Sequence, residues 1–161
     1  MILVFNASPA IVLAKAGLLE RFAKLGEPSI VPQVVVEEIL WANDPMDPAC
    51  AIFRDPQSLM DVIPAAPMSA LLAGWDLGAG ESAVISIASA RAGAVAVLDD
   101  LAARRCAQAH GLAMTGTLGL VLLAKKWGVI ERVGPALDAV VDAGLYISPG
   151  VLAEVRARAG E

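Results

Sequence analysis

Asn6, Glu38, Glu81 and Asp99 are the residues of this 161-residue chain whose types and positions point to chemistry. They occur in VFNASP, PQVVVEEIL, GAGESAVISIA and AVAVLDD, each at the carboxyl end of an apolar strand-like run or in the first turns of the helix that follows. In an open parallel sheet such strand ends converge on one crevice, where ligands bind. Carboxylates gathered there repel one another unless a cation neutralises them, and hard oxygen ligands select Mg²⁺ or Mn²⁺. Asn6 is neutral where this pattern calls for an acid. Taken singly, each residue has a plainer role. Asn6 and Ser8 fit a helix cap. Glu38 fits a solvated glutamate beside Glu37, since adjacent helical residues do not share a face. Glu81 suits the positive end of a helix dipole, and Asp99 with Asp100 could cap the helix after them. The joint placement on successive strand–helix junctions is what carries the metal reading.

Other chemistries find less support. Arg104 and Arg105 follow the Asp pair by about one helical turn, within reach of phosphates bound near a metal; a solvated helix face is the plainer reading. His110 is the only histidine and sits at a helix end, where the dipole favours a cation. With no second histidine and no nucleophile pattern, triad hydrolysis is unsupported. No Gly-Lys-Ser/Thr phosphate loop occurs. Gly78 to Ala83 (GAGESA) fits the dinucleotide fingerprint G-x-G-x-x-A, with Asp99 near the offset of a ribose-binding acid. Against it, LLAGWDL is a poor strand, and Glu81 would meet a pyrophosphate with like charge. Dinucleotide binding therefore stays as a remote alternative.

The elements that must position these residues are short. Strands are expected at Met1–Phe5, Ser29–Val31, Leu59–Ile63, Ala94–Leu98 and Met114–Thr115. Helices are expected at Pro9–Leu19, Pro32–Trp41, from Gly78 to about Arg91, at Leu101–His110, Thr117–Trp127 and Pro135–Ala143, and from Pro149 onward, with a short turn at Ser69–Leu72. Residues 43–58 hold three Asp-Pro steps, at Asp44, Asp47 and Asp55, and read as a loop. Alternating strands and helices predict an α/β fold with a parallel sheet covered by helices on both faces.

Composition sets the outer bounds. The length fits one domain over residues 1–161. The hydrophobic fraction of 57%, much of it Ala, gives ample core and an apolar surplus around Trp41, Trp75 and Trp127, which together with the family resemblance given below predicts a homodimer. A net charge of −5 argues against a broadly basic nucleic-acid surface but not against a local basic patch. Cys50 and Cys106 lack metal-ligand spacing and read as reduced structural thiols. The amino-terminal apolar run has no basic leader and is interrupted by Asn6, Ser8 and Pro9. No run reaches the roughly 18 apolar residues of a membrane span. A cytoplasmic protein without membrane contact is expected.

The segments FNASPAIVLAKAGLL, IVPQVVVEEI, LGAGESAVISIA, VAVLDDLAARRCAQAHGL, TGTLGLVLLAKKWGVI and GLYISPGVLAEV together resemble the PIN-domain nucleases. The nearer likeness is to a PIN-like branch related to the toxins of VapBC-type toxin–antitoxin pairs. It runs end to end except for the Asp-Pro-rich stretch and its surroundings. GTLGLVLLAKKWG with LDDLAAR is fairly specific to the branch. The resemblance implies a three-layer α/β/α sandwich around a central parallel sheet, metal-dependent cleavage of RNA phosphodiesters, and neutralisation by a small antitoxin. It places the acidic cluster on Asn6, Glu38, Glu81 and Asp99, with Asp100 as a substitute for Asp99 and Ser8 as the accompanying hydroxyl. Asn6 removes one negative ligand, although its amide oxygen can still coordinate. A catalytically weakened PIN-fold module that binds RNA or an antitoxin is the second reading, motivated by Asn6, by net acidity and by a lack of aromatic stacking residues near the acids.

Overall fold

The computed structural model describes residues 1–23, 28–41, 46–55, 59–64, 70–72 and 74–161. Five strands form one sheet: β1 (Ile2–Phe5), β2 (Ser29–Pro32), β3 (Asp61–Ile63), β4 (Ala94–Val97) and β5 (Met114–Thr115). Their order is β3-β2-β1-β4-β5, and every pairing is parallel. Strands buried on both faces read as unbroken apolar runs rather than alternating ones. That is why ILVF and AVAV form the central pair, with Phe5 opposite Val97. The chain builds outward from β1 to β3 and then returns to the other side of β1. The order therefore reverses between β1 and β4, which opens a crevice at their carboxyl ends.

The helices are α1 (Ala7–Lys15), α2 (Leu19–Ala23), α3 (Gln33–Trp41), α4 (Pro48–Phe53), α5 (Ala79–Ala90), α6 (Leu101–Ala109), α7 (Thr117–Lys126), α8 (Val133–Asp142) and α9 (Pro149–Ala159), with a 3-10 turn at Ala70–Leu72. Together with the sheet they make a three-layer α/β/α sandwich. α5 packs across β1, β2 and β4 with Val84, Ile85 and Ile87 buried. Phe5, Phe22, Phe53, Leu13, Ile85 and Leu120 are among the largest fully buried side chains. Each such burial stabilises by about 1.5–3 kcal/mol relative to exposure. Among the described residues, no helix is long and apolar enough to cross a membrane.

Two expectations fail. The helix expected at Pro9–Leu19 breaks, because Gly17 takes φ +65° and ends α1 before α2 restarts at Leu19. Residues 43–58 are not all loop, since Pro48–Phe53 is helical. Asp47 caps α4 by accepting from the Ala49 N–H at 2.8 Å, Pro48 occupies the first turn, and Ala49, Cys50 and Phe53 are buried. Asp47 also pairs with Lys15 at 2.9 Å, tying α4 to α1. Asp44 and Ser69 lie outside the described residues. Both cysteines are free and buried, and burial pushes the Cys106 thiol up.

At the other end, Glu161 gathers three helices. Its carboxylate takes the Lys125 ammonium at 2.8 Å and the N–H groups of Val133 and Gly134 at 2.8 and 3.1 Å, which caps α8. The Lys125 hydrogen bond, followed by the backbone donors, holds its carboxyl down to about 2.

Candidate functional site

Asn6 is the first residue past β1 and the N-cap of α1 by position, yet its side chain makes no cap hydrogen bond. It is buried, and its Nδ2 donates to Glu81 Oε1 at 3.1 Å across 75 residues of sequence. Its Oδ1 is buried without a hydrogen-bond partner among the described residues. A buried acceptor left in this way costs about 1–3 kcal/mol, so such atoms are few in folded proteins.

Gly80 explains the geometry around that orphan oxygen. It is buried at the start of α5, and a Cβ there would lie 2.7 Å from Glu38 Oε2 and 2.8 Å from Asn6 Oδ1. Both oxygens therefore face one point beside the Gly80 Cα. Glu38 reaches it from α3, where Val35 and Ile39 turn inward and leave the glutamate on the edge. Glu38 is exposed as a residue, yet partial burial of its carboxyl, and then the nearby charge of Glu81, push its pKa upward. Asn6, Glu38 and Glu81 thus meet, bringing two carboxylates and an amide oxygen together.

Asp99 stands one strand over and faces α7. Its Oδ1 accepts from the Thr117 N–H at 2.8 Å and its Oδ2 from the Thr117 hydroxyl at 2.6 Å. A helix N-terminus favours such an anion. Asp100 does not join it: its Oδ1 accepts from the Ala103 N–H at 2.8 Å and caps α6. The Ser8 side is exposed, as is Arg105. Arg104 is half-buried, with Nη1 donating to the Leu98 carbonyl at 3.0 Å and lying close to Gly116, beside Asp99. Among the described residues no three His, Cys, Asp or Glu side chains form a metal-holding group. The donor set is thus smaller than four converging acids, and its third member is the Asn6 amide oxygen. All three donors are hard oxygens, the type suited to Mg²⁺ or Mn²⁺ rather than to a thiophilic metal.

Two grooves border these residues. One, of about 470 Å³, is lined by Val34, Glu37, Glu38, Trp41, Gly78 and Glu81, among others. The other, of about 420 Å³, is lined by Asp99, Arg104, Gly116, Tyr146 and Arg158 together with apolar side chains. A larger groove of about 870 Å³ lies beside β5 and holds none of Asn6, Glu38, Glu81 and Asp99. The chemistry, not the volume, marks the site.

A family model described as a PIN domain matches residues 2–161. The chain belongs to the PIN-domain family. No curated protein and no solved structure matches it.

The PIN domain has a nuclease-type fold, and Asn6, Glu38 and Glu81 meet beside the carboxyl end of β1. The GAGESA turn has another use here. Among the described residues no strand leads directly into α5, and Gly80 faces Asn6 and Glu38. Sequence reasoning missed four residues of this PIN domain. Gly80 was visible only as half of a glycine pair. Thr117, fully buried, was read as a helix start rather than as the partner of Asp99. Trp41 and Tyr146 overturn the expected lack of aromatics beside the acids, because each lines a groove containing them. Trp41 was legible from spacing, three residues after Glu38 and so on a neighbouring helical face. Nothing local in GLYISP signalled Tyr146.

Proposed function

We propose that this PIN domain is a Mg²⁺- or Mn²⁺-dependent endoribonuclease that cleaves RNA phosphodiesters with an activated water. The observation that carries the reading is the buried, unpartnered Asn6 Oδ1 aimed at the same point as the Glu38 carboxylate, with Glu81 hydrogen-bonded to Asn6. A cation there would give the orphan oxygen a partner and offset the burial and the Glu81 charge that push Glu38 upward. Asn6, Glu38 and Glu81 would hold it, with Asp99 on the adjoining strand end. When bound, the cation supplies Lewis acidity, lowering the pKa of a water and stabilising charge on phosphate oxygens. The protein's own groups position the strand. Asp99 stays fixed by both Thr117 donors, and Arg104, steadied by the Leu98 carbonyl, offers the rest of its guanidinium to a phosphate. By resemblance to VapBC-type toxins, the proposal extends to a small antitoxin as partner.

Asn6 favours one rival, a module that binds RNA or an antitoxin without cutting, because an amide gives the metal less charge than a carboxylate. The test is purified protein with Mn²⁺ and a mixed RNA pool, followed by cleavage and by melting temperature. We expect cleavage and a metal-dependent rise in melting temperature, both lost in Glu81→Gln. RNA retained without cleavage supports the rival, and a melting temperature indifferent to Mn²⁺ refutes the metal site.

A further inference from the structure

Trp41 and Tyr146 are 90% and 94% exposed, far more than rings of this size usually are. Among the described residues neither makes a ring contact with another aromatic or histidine, although Phe22 with Trp127 and Trp75 with His110 do. Their positions are not scattered. Trp41 shares a groove with Glu38 and Glu81, on the β2 side of β1. Tyr146 shares a groove with Asp99 and Arg104, on the β4–β5 side. One exposed ring therefore stands on each side of the crevice, measured along the sheet.

We propose that Trp41 and Tyr146 are base-stacking residues that hold unpaired nucleobases of one RNA strand on either side of the carboxylates. The assignment rests on the nuclease reading for where the scissile phosphate lies. Charge explains why stacking is needed. A chain of formal net charge −5 with carboxylates at its crevice cannot hold a polyanion by general attraction. Aromatic faces bind any base without a charge, and they bind only bases freed from pairing. Arg104 and Arg158 in the Tyr146 groove give the backbone a local cationic contact, although Arg158 is shared with Glu154. Among the described residues Trp41 has no such neighbour: its groove is acidic, so a base on the indole keeps its phosphates turned away from Glu37, Glu38 and Glu81.

The experiment is fluorescence anisotropy with a labelled oligoadenylate of about ten nucleotides, a length within the range of single-strand sites. It is run in EDTA so that binding is read without cleavage. Trp41→Ala and Tyr146→Ala should each weaken binding by about tenfold or more, whereas Trp41→Phe and Tyr146→Phe should stay within about threefold, since a ring remains. The same strand paired to oligouridylate should bind at least about tenfold more weakly, because its base faces are covered. Neither alanine variant should change the melting temperature without RNA. Wild-type failure to bind, either alanine variant binding like the wild type, or a duplex binding equally well would overturn the proposal. So would alanine variants that convert a dimer to a monomer with RNA affinity unchanged, which would make the rings a contact between copies. Cleavage in Mn²⁺ is scored separately. Ring-dependent binding without cleavage removes the nuclease and keeps the stacking residues; cleavage with ring-independent binding does the reverse.

Discussion

Asn6→Asp adds one charge at the point where the amide now donates to Glu81 at 3.1 Å. The new carboxyl has two ways to exist without metal. Ionised, it loses the hydrogen bond and faces Glu81 at a separation where two like charges cost about 4 kcal/mol at an effective dielectric near 20. Protonated, it donates to Glu81 much as the amide does, and pays instead for holding a proton at pH 7. With an unperturbed value near 3.9, that work is about 4 kcal/mol at pH 7. The two routes cost alike, so the metal-free variant should lose about 3–4 kcal/mol at pH 7, a large share of the 5–15 kcal/mol typical of a domain.

The sign with pH follows from the raised folded-state pKa of the new carboxyl. The folded variant binds more protons than the unfolded chain, so its stability falls as pH rises from about 4 to about 7, by up to 1.4 kcal/mol per unit. Near pH 4 it should approach the wild type. Mn²⁺ should reverse the order, because a full negative charge at position 6 then binds the cation and the variant takes the metal more tightly. Urea melts in EDTA between pH 4 and 7.5, repeated with Mn²⁺, read all of this. A variant within about 1 kcal/mol of wild type in EDTA at pH 7, with no pH slope, would refute the Asn6–Glu81 contact. Unchanged Mn²⁺ affinity would remove Asn6 from the ligand set.

Gly80→Ala places a methyl 2.7 Å from Glu38 Oε2, 2.8 Å from Asn6 Oδ1 and 3.3 Å from Val35 Cγ2. Glu38 can swing outward but buried Asn6 cannot, so the contact under 3.0 Å outweighs the roughly 1 kcal/mol helix gain; the variant should melt lower and lose the Mn²⁺-induced rise in melting temperature, and a full rise would show the cradle is not the metal position. Glu161→Gln removes a carboxyl held at about 2 by Lys125 and the start of α8, so its stabilisation, complete above the ordinary value of 4.5, is lost as pH falls towards 2. The variant should melt lower at pH 7 and show a shallower acid transition in circular dichroism; an unchanged profile would refute the clasp.

β1, β2 and β4 were legible as short, mainly apolar runs, because burial on both faces leaves no alternation to confuse the period. The break after α1 was not, because AKAGLLE keeps helical spacing through Gly17 and only the positive φ stops it. The Asp47-Pro48 step carried two messages at once, turn initiation and N-cap with proline in the first turn, and the apolar residues after it decided for the helix. Asn6 was harder still. A cap and a site residue use the same side chain at the same place, so the choice depends on where α5 lies in three dimensions, which no local pattern contains.

The Asp99–Asp100 pair could have been resolved from sequence alone. A capping side chain must belong to the residue immediately before the first helical turn, where it reaches the N–H two or three positions on. With the helix beginning at Leu101, that residue is Asp100, and its bond to Ala103 has the expected spacing. The same local demand that occupies Asp100 leaves Asp99 at the strand end, where successive side chains turn to opposite faces. Asp99 is then the one available to another element, and it takes both Thr117 donors. In a strand–Asp–Asp–helix junction the helix boundary thus assigns the cap and leaves the other acid to a different element, here α7.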